Sequence, residues 1–396
     1  PDTDVVARVQ ALRGRKTALV RDPRIEKLAD LIAGYSLDLQ EGQVYRIDGE
    51  DVSIPLAVAL YAAAIRRGAH PYTKITPSGL DEIELEEASD EQLAYIPEVE
   101  QIATKQLDAW TSLWGTVNTR SLTRVDSERR RLQLSTHYRM VNRRWDRISS
   151  GDLAWCGTLY PTQAHAQDAE MSLSEYEDFV HGACHTREGD DPIAHWRAMA
   201  KTLGARAREL EGVREVRITG PGTDLRLVVE GRRWLPSDGK HNMPDGEVFT
   251  SPVETGTSGE IFFAFPSVFQ GQEVENVRLR FEEGAVVHAE ATVGQEYLRS
   301  LLDTDSGARV LGEVAFGLNY EIDRFTRDIL FDEKIGGTMH VALGGGFDEA
   351  GTENKSDLHW DLICDLRGEG EVYADGELVW KAGSFLSEPE PAVERV

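Results

Sequence analysis

PIAHWRAMAKTLGARARELEGVREVRITG, residues Pro192–Gly220, is where the chain changes texture. Its first part sets Ala and Leu at helical spacing and stops at Gly212. From Val213 it alternates apolar and charged residues, as a half-buried strand does. Short β segments separated by glycine continue downstream: TDLRLVVEG, EVFTSP, EIFFAFPS, VENVRLRFEEG and AVVHAEAT. Turn signals recur roughly every 8–12 residues, the spacing of a β-rich domain. EVYADGELVW adds a hairpin, because Asp375-Gly376 suits the positive φ angles of a type I′ turn. Upstream the rhythm differs. A helical stretch (22–36), the strand candidate VYRI, the helix SIPLAVALYAAAIRRGAH and the strand PYTKI alternate as in an open sheet with crossover helices. The fold class is therefore α/β: an N-terminal open α/β domain over residues 1–190, followed by a β-rich (α+β) domain over 191–396.

Composition bounds the function. The chain has 396 residues, 40% hydrophobic and 28% charged, which is ordinary for a globular protein of two domains. Its formal charge is −26, and nine lysines stand against thirty-four arginines. A surface this acidic repels phosphate backbones and argues against nucleic acid as a partner. The acid excess fits equally a protein of high-salt surroundings or a GC-rich coding bias. No window approaches the ~18 apolar residues of a membrane helix, and the opening PDTDVVARVQALRGRK lacks a secretory leader's apolar core. Cys156, Cys184 and Cys364 have no CxxC spacing and cannot all pair, which suits a reducing compartment. The expectation is a cytoplasmic protein with no membrane partner.

Polar residues interrupting the β region carry the chemistry. His359 and Asp361 stand at i and i+2 of SDLHWDLICDL, so a strand points both to one face. An imidazole beside a carboxylate is half of a divalent-metal site, although such a pair alone is usually an ordinary hydrogen bond. Glu247 opens a strand after a Pro–Gly turn. Glu313 follows a glycine in LGEVAFGLN, and His340 joins GGTMH to VALGGG. Each has a bland reading, as a solvated strand-end acid or a satisfied core imidazole. Together, two histidines and three carboxylates form an N/O donor set suited to a pair of Zn, Co, Mn or Mg ions.

Four ordered motifs, GEVFTSP, GEVAFGLN, DEKIGGTMHVALG and LHWD, resemble the signatures of the aminopeptidase T and aminopeptidase S family of metallopeptidases. RDPRIEKLADLIAGYSLDLQEGQ and RRGAHPY resemble that family's opening, so the likeness covers nearly the whole chain. It implies a β-rich catalytic domain holding two divalent metal ions, peptide substrates with a free N-terminus, and a homodimer enclosing a chamber. It also implies Glu247, Glu313, His340, His359 and Asp361 as metal ligands, with Glu313 bridging the ions and Glu333 an additional acid nearby. A metal pair supplies water activation and carbonyl polarisation, with Glu247 or Glu333 as the proton carrier. One departure stands out: Phe347 occupies the place of a family tyrosine, and phenylalanine donates no hydrogen bond.

Other readings stay open. A mononuclear iron ring-cleaving dioxygenase on the same fold would leave Glu247 or Glu313 idle. A weakened peptidase or a binding protein would follow from Phe347. His181 and His185 in HGACH have metal-like i, i+4 spacing on a predicted helix but lack the glutamate of HExxH.

Overall fold

Asp22 accepts a hydrogen bond from the Arg24 amide at 2.9 Å, and Pro23 takes the first helical position, which starts the helix Pro23–Leu31. The computed structural model describes residues 22–269 and 271–388; the opening segment compared above with a leader lies outside them. Four strands, β1 (Val44–Glu50), β2 (His70–Thr76), β3 (Ala109–Trp114) and β4 (Ala154–Leu159), form a parallel sheet. Parallel pairing needs crossover connections. Helices Ile54–Arg66, Leu80–Glu87, Glu98–Gln106 and Ser127–Ser149 lie within them. The strand β4 and the following helices Gln163–Asp168 and Leu173–Ala183 complete the α/β rhythm.

Downstream come β5 (Glu215–Gly220), β6 (Thr223–Val228), β7 (Leu235–Ser237), β8 (Asn242–Met243), β9 (Glu247–Thr250) and β10 (Thr257–Phe263). They are followed by β11 (Ser267–Phe269), β12 (Gln272–Val274), β13 (Val277–Glu282), β14 (Ala285–Glu290) and β15 (Leu311–Gly317). The last are β16 (Thr338–Gly344), β17 (His359–Asp365), β18 (Glu371–Ala374), β19 (Glu377–Lys381) and β20 (Ser384–Phe385). An eight-stranded sheet runs β14-β13-β10-β6-β5-β18-β19-β20, and a five-stranded one runs β17-β16-β15-β9-β7. Asp375 and Gly376 both have positive φ at the β18–β19 turn, as the Asp-Gly pair requires. Helix Gln295–Leu302, burying Leu298, Leu301 and Leu302, and the short helix Ile329–Asp332 interrupt the β region.

The two antiparallel sheets share one core. Leu225, Leu227, Ile261 and Leu279 meet Val314, Phe316, Val341, Trp360 and Leu362 in a single apolar cluster. Burying Phe316 alone stabilises the fold by about 2 kcal/mol. The N-terminal region has its own cluster, but Trp196 and Met243 belong to it. The reason is β8. Its two residues pair in parallel with β4, and the Thr158 hydroxyl donates to the Met243 carbonyl at 2.6 Å. The chain thus returns to the parallel sheet four residues before Glu247.

Candidate metal centre

Sheet register gathers the polar residues. Asp361 on β17 pairs with Ala342 on β16, which pairs with Glu313 on β15. His359 stands opposite Gly344, His340 opposite Ala315, and Glu247 opposite Gly317. Paired residues of antiparallel strands, and residues two apart along one strand, project to the same face. All five donors therefore share a face, and Ala or Gly between them leaves volume for carboxylates and imidazoles. The alternate residues Val248, Val314, Phe316, Val341, Trp360 and Leu362 fill the apolar core behind.

A bulge adjusts this register. The β15–β16 pairing slips between Leu311 and Glu313, making Gly312 the extra residue. A Cβ on Gly312 would lie 2.2 Å from the Gly345 carbonyl oxygen, so a side chain is excluded there. That same oxygen accepts from His359 Nδ1 at 2.7 Å. The His340 Nδ1 donates to the Glu333 carbonyl at 3.0 Å. Both rings are thereby locked with Nε2 facing inward, the arrangement that presents a lone pair to a metal.

The inward atoms converge. His340 Nε2 is 3.6 Å from Glu313 Oε1, 3.8 Å from Asp361 Oδ1 and 3.8 Å from Glu247 Oε2. His359 Nε2 is 3.5 Å from Glu313 Oε2 and 3.6 Å from Asp361 Oδ1. Donor atoms of Glu313, His340 and Asp361 all lie within 4.8 Å of one another. Glu247, Glu313 and His340 are buried, whereas His359 is exposed. Glu247 Oε2 and Asp361 Oδ1 are buried without a hydrogen-bond partner. Orphaned carboxylate oxygens are costly unless a cation faces them. The donor set, its locked tautomers and these two oxygens fit divalent metal.

Electrostatics say the same. Burial pushes the Glu247 carboxyl up to about 7, against the pull of Lys334 and His340. Burial alone would depress His340, but its approach to Glu313 and the charges of Glu247 and Asp361 raise it to about 9. His359 is also raised, desolvation being outweighed by Asp361, Glu313 and the Gly345 carbonyl. Three acids crowded together call for positive charge.

Three residues at the site were not singled out as participants by sequence reasoning. Lys334 is fully buried, contacts Glu333 Oε1 and lies 4.0 Å from Glu247 Oε1. Its only signal is a lysine between the apolar Phe331 and Ile335, just ahead of a ligand-bearing strand. Asn319 donates to the carbonyls of Ala183 and Asp245, tying helix Leu173–Ala183 to the turn before Glu247. Asp245 in turn accepts from the amides of Gly239 and Gly246. The expected Glu333 lies beside the cluster through its carbonyl and through Lys334. Phe347 packs edge-on to the His359 ring, centroids 5.4 Å apart. His181 and His185 are not brought to the cluster. His181 pairs with the Thr186 hydroxyl at 2.8 Å, and His185 lies beyond the helix end with φ 53°.

Fold and site together define a class: an α/β protein whose antiparallel sheet presents a buried imidazole–carboxylate cluster suited to divalent cations. Residues 21–385 match the sequence model of the thermophilic metalloprotease (M29) family, and the chain belongs to that family. It is 35% identical over 222 residues to an aminopeptidase T of Thermus aquaticus, covering 48% of this chain and 52% of that protein. The match thus spans about half the length of that relative. Aminopeptidase 2 of Geobacillus stearothermophilus is 28% identical over 371 residues, 88% of this chain and 89% of its own. AmpT of Thermus thermophilus superposes with a TM-score of 0.82 at 25% identity, covering 92% of this chain and 99% of its own. A 2,5-dihydroxypyridine dioxygenase from Pseudomonas putida shares the fold, with a TM-score of 0.58 at 14% identity over 92% of this chain and 97% of its own. Among the described residues, no helix is long and apolar enough to cross a membrane.

Proposed function

We propose that the chain is a metal-dependent aminopeptidase that removes N-terminal residues from peptides at a dinuclear centre. One observation carries the dinuclear reading: the two oxygens of Glu313 face different imidazoles, Oε1 toward His340 and Oε2 toward His359. A carboxylate so placed suits a bridge between two ions. Glu247 and His340 would be the further ligands at one end, and His359 at the other with Asp361, whose Oδ1 also lies near His340. Divalent ions bound there, Zn, Co, Mn or Mg, supply water activation and carbonyl polarisation.

The chain's own residues do the rest. The Glu333 and Gly345 carbonyls hold the two Nδ1 protons and so keep both Nε2 atoms unprotonated when a cation faces them. Glu247 or Glu333 takes the proton of the attacking water and hands it to the leaving amine. A free α-amine pairs with the acidic cluster, which restricts cleavage to the first residue. Retention of both Glu247 and Glu313 in the cluster favours hydrolysis over a mononuclear iron reaction.

Other features support finer parts of the reading. Three buried free cysteines suit the cytoplasm. Ile54, Val58, Tyr61 and Ile65 form an exposed apolar stripe on one helix, which suits a homodimer contact. Elemental analysis with a panel of free-amine and N-capped peptides tests the core claim. Two ions per chain and cleavage of free-amine peptides alone are expected; one iron per chain with no peptide cleavage would overturn it.

A further inference from the structure

Residues 333 and 334 support one end of the donor cluster only. The Glu333 carbonyl orients His340, and the Lys334 ammonium lies between Glu333 Oε1 and Glu247 Oε1. Lys334 is fully buried, and its neighbours hold it in place. Asp332 accepts from the Thr326 amide at 2.7 Å and its hydroxyl at 2.9 Å. Phe331 and Ile335 pack into an apolar cluster with Tyr176, Phe179 and Val180. A lysine enclosed in this way has no route by which to swing its charge into water. At the other end the arrangement differs. His359 leans on a neutral carbonyl, and among the described residues the ion pairs of Glu313 and Asp361 are with the two histidines. One end of the centre thus has a buried ammonium, paired with Glu333 and facing Glu247, that the other lacks.

We infer that Lys334 makes the two ends unequal: Glu313, Asp361 and His359 hold the first divalent ion, and Glu247 with His340 holds the second more weakly. This rests on the dinuclear reading above. The physical reason is that the ammonium already neutralises part of the charge Glu247 offers. It also repels a cation placed beside it, in surroundings where charges are screened far less than in water. The inequality is therefore built into the protein and does not depend on which divalent ion is supplied.

Chelator-stripped protein titrated with Zn²⁺ in a calorimeter, with Co²⁺ absorption as a second signal, tests it. Two binding steps at least about tenfold apart are expected in the unaltered chain. Lys334→Met should tighten the second step by about tenfold and leave the first within about threefold, whereas Lys334→Arg keeps the charge and the gap. His359→Ala should remove the tight step, and His340→Ala the weak one. Equal steps in the unaltered chain, or a gap that survives Lys334→Met, would overturn the inference. If circular dichroism shows Lys334→Met unfolded, the two histidine variants still decide which end fills first, and the reverse order overturns it. A chain that takes up no metal, or one ion only, refutes the dinuclear reading instead.

Discussion

His340 and His359 turn their Nε2 atoms toward three carboxylates, while His185 and His195 stack ring on ring with centroids 3.3 Å apart. Both pairs have lost part of their hydration, which by itself disfavours the charged ring. Around the first pair, neighbouring acids overcome that loss, and His340 rises to about 9. Around the second, desolvation prevails: His185 is lowered, and His195, further opposed by its neighbour, falls to about 4. The His195 Nε2 is buried with no hydrogen-bond partner. Two close imidazoles therefore do not make a metal site. The anions across from them do.

The largest break in that contrast comes from Glu313, which offers a separate oxygen to each site histidine. Glu313→Gln should cost at least one metal equivalent by elemental analysis and lower kcat/KM on a free-amine peptide roughly a thousandfold, ~4 kcal/mol of transition-state stabilisation. Full stoichiometry with full activity would defeat the bridging role. Next, His340→Ala and His359→Ala should each weaken metal binding by about a hundredfold or more, with the fold intact by circular dichroism. His185→Ala and His195→Ala should leave metal content unchanged, and equal losses in all four would erase the distinction.

Acid should act on the second pair through folding. Their folded pKa values lie below the ordinary value near 6.5, so the folded state binds fewer protons there than the unfolded chain does. The stability they contribute is complete above pH 6.5 and is lost as pH falls through about 4. Urea midpoints measured at descending pH should fall across that window, and His195→Gln should flatten the fall. A parallel fall in the variant would mean that other groups carry it. The smallest effect sharpens the first pair. Phe347→Tyr places a hydroxyl near His359 and should raise peptide turnover about two- to tenfold; an unchanged or lower rate would show that the missing donor is not the limit.

Much of this was legible in the sequence because strands alternate. His359 and Asp361 share a face by spacing alone, and the change of pattern after Gly212 marks where short strands begin to dominate. Glu247, Glu313 and His340 stand out as polar residues interrupting apolar β segments, and the resemblance implies their role as ligands. Why they meet lies in register: Ala342 between Asp361 and Glu313, Gly344 opposite His359, and the bulge at Gly312 are pairings between segments far apart in the chain. Local pattern carries no register between distant strands. Lys334 escaped for a related reason, since a lysine next to two acids reads as surface until the packing of Phe331 and Ile335 encloses it. The strand β3 and helix Gln295–Leu302 were missed too, the helix because eight residues amid β segments give periodicity little room.

The two-residue strand β8 bears on how such a protein can change over generations. It sits in the parallel sheet, its amino-acid neighbours belong to the metal-bearing sheet, and Met243 is buried in the apolar cluster of the N-terminal region. A recombination event that traded everything after the change in texture for another protein's second half would leave β4 with a bare edge. The incoming half would have to supply both a matching strand and the turn that aims Glu247. The half whose described residues bring no donor to the cluster therefore restricts which halves with donors it can be inherited beside.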